Sequence, residues 1–108
     1  MRIEDIQKAV CKETNTDIGM MASRTRLREY LIPRHISVYL CYKAKERFGW
    51  TLGQIAEKHG LKNGKGKPDH STVLAYQPSI NDIIFKEKFK GGGVYSNTIS
   101  KVEKELSI

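Results

Sequence analysis

Asp69-His70-Ser71-Thr72 sets four directed hydrogen-bonding side chains immediately before the apolar pair Val73-Leu74. If a helix opens here, Asp69 takes the N-cap position, where its carboxylate accepts from the free amides of the first turn. His70, Ser71 and Thr72 then ring the exposed helix end, and Val73 and Leu74 are expected to face inward. On a basic chain, such a tip suits the reading of base edges in a major groove. A capped surface helix with no further role is the plainer alternative. Acid–base catalysis by His70 with Asp69 is disfavoured, because adjacent helix residues point apart and no second carboxylate cluster accompanies them. No enzyme activity is expected, and no cofactor.

Two cationic stretches bear on that choice. Arg24, Arg26 and Arg28 alternate through a segment without a helical apolar stripe. Three arginines so close repel one another unless an anion lies nearby. They form either a solvated charge run or a loop that meets DNA, one arginine in the minor groove and its neighbours on phosphates. Lys62, Lys65 and Lys67 make the 61–68 turn cationic, and Asn63-Gly64 and Gly66 make it a flexible turn by sequence. Its glycines do not form a phosphate loop, since no Gly-Lys-Ser/Thr follows at the required spacing. The net charge of +7, from 19 Lys and Arg against 12 Asp and Glu, favours a polyanionic partner, with nucleic acid ahead of membrane. No apolar run approaches a membrane span and no signal core is present, so a cytoplasmic protein is expected. Cys11 and Cys41 are not a Cys-x-x-Cys pair, and with His35, His59 and His70 scattered no structural zinc spacing exists. Buried free thiols are expected.

The elements that must position these residues read as helices throughout. Met1 to Glu13 places Ile3, Ile6, Ala9 and Val10 on one face. Asn15-Thr16-Asp17 breaks and caps, and a short turn follows through Ile18, Met20 and Met21. Pro33 suits the first turn of a helix running to Arg47, apolar on most sides and therefore central. Arg34, Lys43, Lys45 and Arg47 fall at the ends of that helix. Trp50 is expected to anchor in the core. Thr51-Leu52-Gly53-Gln54 is a capping box for a helix over 51–59, with His59 half-buried on its stripe and Gly60 as its stop. The helix from Asp69 should end or kink at Pro78, with another from Ile80 to Lys90. Gly91-Gly92-Gly93 breaks the chain, and a last helix from Ser96 closes the core through Ile99, Val102 and Leu106. At 108 residues this is one all-α domain, a small helical bundle whose short helices 51–59 and 69–77 form a helix-turn-helix pair.

In this order the residues resemble the C-terminal DNA-binding domain of the bacterial replication initiator DnaA, with its Trp-repressor-like helix-turn-helix. The resemblance runs from about Ile3 to Ile84. Ile6-Gln7-Lys8-Ala9-Val10-Cys11 and the arginine loop match in order. Pro33-Arg34-His35-Ile36-Ser37-Val38-Tyr39-Leu40 is similar to the family's Pro-Arg-Gln-x-x-x-x-Leu. Thr51-Leu52-Gly53-Gln54-Ile55 is similar to its Ser-Leu-Pro-Glu-Ile. Asp69-His70-Ser71-Thr72-Val73 is nearly its Asp-His-Thr-Thr-Val and is the specific motif.

The family's domain reads a short asymmetric duplex box as a monomer. The resemblance therefore implies Asp69, His70, Ser71 and Thr72 as groove readers and Arg26 in the minor groove, flanked by Arg24 and Arg28. It places Arg34 and His35 at a helix start near the DNA backbone, and Leu52 and Gly53 where the second helix approaches it. Lys65 and Lys67 stand in for the charge lost where Pro68 replaces a family arginine. Ser71 in place of threonine removes a methyl that can touch a thymine methyl. The turn before Asp69 is several residues longer than the family's, and about three residues are added near Phe48. The chain begins at Met1 with no ATPase segment, so a stand-alone DNA-binding domain without ATP-driven origin opening is expected. Its partner would be double-stranded DNA at an origin-like box. The alternatives are a transcriptional regulator using the same helices, or a module that binds replication proteins.

Overall fold

The computed structural model describes residues 1–23 and 27–108 of the chain. Six helices follow in order among the described residues: α1 Ile3–Thr14, α2 Ile18–Met21, α3 Arg28–Phe48, α4 Leu52–Lys58, α5 His70–Lys88 and α6 Val94–Leu106. The one β-type pairing among them is an isolated antiparallel bridge, Lys62 to Pro68.

The centre is α3, and its composition explains why. Ile36, Val38, Tyr39, Leu40, Cys41 and Ala44 are all buried although they point to different sides. Such a helix is stable only with neighbours around it, and α1, α2, α4, α5 and α6 all pack against it. The helix begins at Arg28, earlier than the Pro33 start expected from sequence. Pro33 therefore lies inside it. The missing N–H would have bonded the carbonyl of Glu29, which sits in the exposed first turn where water can replace it.

Pro78 likewise fails to end α5, which continues unbroken to Lys88. Val73 and Ile80 are both buried, on either side of the proline, so core packing holds both halves of the helix. Pro78 itself is exposed, and Gln77 Nε2 donates to the Val73 carbonyl at 3.0 Å in the turn it disturbs. Val73 faces inward as expected, but Leu74 is 45% exposed. A residue one step further along a helix is turned by about 100°, and here that step leads to solvent.

The remaining caps follow the sequence closely. Asn15 takes a left-handed conformation after α1, and Asp17 caps α2 by accepting from the Met20 amide. Thr51 and Gln54 form the expected reciprocal capping box. Met21 is fully buried, whereas its neighbour Met20 is exposed. Trp50 is half-buried and stacked on Phe48, with ring centroids 5.1 Å apart. α6 starts two residues earlier than expected, at Val94, and buries Ile99 and Val102 against the other helices.

Candidate nucleic-acid interface

The Asp69 tip forms as the sequence implies, and the structure adds a division of labour. Asp69 Oδ1 accepts from the Thr72 amide at 3.1 Å, and Oδ2 accepts from the Thr72 hydroxyl at 2.7 Å. The Thr72 hydroxyl holds the Asp69 carboxyl below its ordinary pKa, with the Thr72 amide adding to the effect. Both oxygens of Asp69 and the hydroxyl proton of Thr72 are thus engaged with each other, and both residues are half-buried. His70 and Ser71 are the exposed pair. Asp69 and Thr72 build the tip, while His70 and Ser71 are the groups it presents outward.

α4 packs against α5 and brings Gly53 to the same place. A Cβ added at Gly53 would lie 3.1 Å from His70 Nε2, tighter than ordinary van der Waals contact. The absent side chain lets the imidazole rest over the first turn of α4. Leu52, next to it, is half-buried and packs on the core.

The 61–68 turn is organised rather than open. Asn63 N donates to the Lys67 carbonyl at 2.8 Å, and Gly66 N donates back to the Asn63 carbonyl at 2.9 Å. Asn63 Oδ1 accepts from the amides of Lys65 and Lys67. Asp69 N donates to the Leu61 carbonyl at 2.9 Å, which ties the end of the turn to the start of α5. Lys62, Lys65 and Lys67 are all exposed on this small hairpin. One asparagine thus fixes the backbone of two of these three lysines, Lys65 and Lys67. The expectation of a flexible turn came from its glycines. The Asn63 side chain, by bonding amides two and four residues on, supplies the order.

Arg34 and His35 do not start a helix, because α3 opens at Arg28. Arg34 is only 5% exposed, and its Nε donates to the Met21 carbonyl at 2.8 Å, joining α3 to α2. Burial lowers its pKa, yet a guanidinium stays protonated at neutral pH. His35 is half-buried, edge-on to Tyr76 with ring centroids 4.6 Å apart, and its Nδ1 lies 3.3 Å from the Tyr95 hydroxyl. Burial, with Arg34 adding, lowers the His35 pKa. Arg28 is exposed at the first turn of α3. Arg24 and Arg26 lie outside the described residues.

An open groove of about 660 Å³ connects several of these parts. Its wall includes Arg34, Lys62, Asp69, Thr72, Tyr76 and Ser23, the last described residue before the arginine segment. The tip, the lysine hairpin and Ser23 therefore border one concavity. Tyr76 was not among the residues singled out in the sequence. Lys62 shares the charge of the turn, but nothing in the pattern placed Tyr76 on this wall.

Behind the tip lies a buried pair that sequence also understated. His59 is fully buried, where a half-buried packing residue was expected. Its Nδ1 donates to the Ile55 carbonyl at 2.7 Å, which leaves Nε2 to accept from the buried Ser37 hydroxyl at 2.7 Å. Burial pushes the imidazole pKa down to about 4. Cys11 and Cys41 are buried free thiols, and no group of three potential metal ligands occurs among the described residues.

The helix pair, its caps and the following hairpin can be compared with known proteins. The bacterial DnaA protein helix-turn-helix family matches residues 3–80. This chain belongs to that family. A chromosomal replication initiator protein DnaA from Geotalea daltonii is 29% identical over 96% of the chain and 20% of its own length. The Agrobacterium fabrum DnaA is 32% identical over 78% of the chain and 15% of its own length. That of Sphingopyxis alaskensis is 35% identical over 67% of the chain and 14% of its own length. The chain spans about a fifth or less of the length of these DnaA relatives. The family match, over residues 3–80, covers α1 to the first half of α5 and so contains the DnaA-type helix-turn-helix. No helix among the described residues is long and apolar enough to cross a membrane.

Proposed function

We propose that this chain binds duplex DNA sequence-specifically, as a monomer, at sites of the DnaA-box type, and acts in or regulates the initiation of replication. The observation that carries the reading is the α5 tip, with exposed His70 and Ser71 on an Asp69–Thr72 cap, beside a hairpin of three exposed lysines. The exposed cations suit phosphates, and the imidazole and hydroxyl suit base edges. In this reading α5 enters the major groove from its Asp69 end. Gly53 lets the α4 backbone approach a strand, and Arg26, flanked by Arg24 and Arg28, reaches the minor groove. Arg34 acts from beneath, lending its charge to the groove wall.

The test is fluorescence anisotropy on a labelled duplex carrying a DnaA-type box and on a scrambled duplex, at about 150 mM salt, where non-specific attraction is partly screened. Preference for the box supports the reading. Equal, weak and salt-sensitive binding to both duplexes overturns it for this target. Arg26→Ala should cost about 1–3 kcal/mol on the preferred site, and Lys65→Ala should weaken all sequences alike and flatten the salt slope by roughly one unit.

A further inference from the structure

The far end of α5 carries a second cluster that the reading above does not use. Phe85 and Phe89, one turn apart, are 58% and 79% exposed, and their rings meet at 79° with centroids 5.2 Å apart. Around them stand Lys86, Lys88 and Lys90, all exposed. Lys86 pairs with Asp82 at 2.9 Å, while no ion pair engages Lys88 or Lys90 among the described residues. The one acid in the stretch, Glu87, is turned away: its carboxylate accepts from the amides of Tyr95 and Ser96 and from the Ser96 hydroxyl. A Cβ at Gly93 would collide with that carboxylate, so the glycine turn lets the start of α6 close onto it. The helix end is therefore fixed, and its outward surface is left with aromatic rings and ammonium groups.

We propose that this end of α5 is a stacking platform for single-stranded nucleic acid, separate from the duplex-reading tip. Exposed aromatic rings among cations are the combination that holds unpaired bases and their phosphates together. Phe85 lies 15 residues from His70, about 22 Å along the helix, so one molecule can hold a duplex at one end and a strand at the other. A second copy of the chain is disfavoured, since apposed lysines would repel. A bilayer surface is disfavoured because the apolar stripe of α5, Val73 and Ile80, is already spent in the core.

The experiment measures anisotropy of a labelled 20-nucleotide thymidine strand and an abasic strand of equal length, at about 100 mM salt. The abasic strand keeps the charge and lacks the bases. The protein should prefer the thymidine strand by about tenfold or more, and Phe85→Ala with Phe89→Ala should abolish that preference. Phe85→Tyr with Phe89→Tyr should keep it. All variants should bind the box duplex as the parent does, which separates failure here from failure of the duplex reading. Equal binding of both strands, or a preference that survives the double alanine variant, overturns the proposal. So does binding to phosphatidylglycerol vesicles that depends on the phenylalanines while the strands are indifferent to them.

Discussion

Lowering the pH should weaken this fold through His59, by an amount its surroundings set. The neutral imidazole is buried between the Ile55 carbonyl and the Ser37 hydroxyl, and its pKa falls from 6.5 to about 4. In the unfolded chain the same group titrates near its ordinary value. Between the two values the unfolded state takes up a proton that the folded state refuses, so stability falls as pH drops below about 6.5. Each unit corresponds to about 1.4 kcal/mol, so two units from 6.5 to 4.5 remove about 2–3 kcal/mol. Urea unfolding followed by circular dichroism at pH 7.5, 6.5, 5.5 and 4.5 measures the slope. The control is His59→Leu with Ser37→Ala, which removes the imidazole together with the hydroxyl that faces it. Its baseline will be lower, because the Ile55 carbonyl loses a donor, but its slope over this range should be shallower by the stated amount. His35, also depressed by burial, contributes with the same sign in both proteins and cancels in the comparison. Parallel slopes would refute the assignment.

Other substitutions probe the elements around the tip. Gly60→Ala should cost about 2 kcal/mol or more in urea unfolding, because Gly60 sits at φ +68° and an added Cβ would lie 2.5 Å from the Ala22 carbonyl oxygen. A loss below about half a kcal/mol would show that the approach of Gly60 to Ala22 relaxes freely. Asp69→Ala should cost about 1 kcal/mol as a lost cap and, by freeing the Thr72 hydroxyl, should change base preference more than non-specific affinity. Uniform weakening on every duplex would contradict that. Gly53→Ala should leave the melting temperature nearly unchanged, since the group it crowds is the end of the His70 side chain, but should lower box affinity by displacing that imidazole. Unaltered box binding would separate His70 from recognition.

Much of this architecture is legible in one dimension because it is local. Asp69, Thr51 with Gln54, Asn15 and Asp17 cap as their positions imply, since a cap is decided by a side chain and the amides two or three residues away. The apolar periods of α1 and α6 and the all-round apolar character of α3 were likewise sufficient to predict their packing. The resemblance to the family was legible in the same short motifs, above all the run from Asp69 to Val73. The prolines misled because their local cost is real but small beside the burial of Ile80 and of the residues flanking Pro33. A helix held at both ends by a core survives one missing hydrogen bond.

What tertiary structure alone decided concerns contacts between residues far apart in the chain. No spacing rule foretells that His59 meets Ser37, that Arg34 is buried against the Met21 carbonyl, or that Gly53 makes room for His70. Nor does the sequence say which of four polar residues at the tip are used up in building it. The sequence determined the capped helix starts at Thr51 and Asp69 and which faces of α1 and α6 are apolar, because those depend on neighbours within a turn or two. The fold decided which polar groups are satisfied internally and which are left to a partner, because that depends on what the packed helices bring within 3 Å.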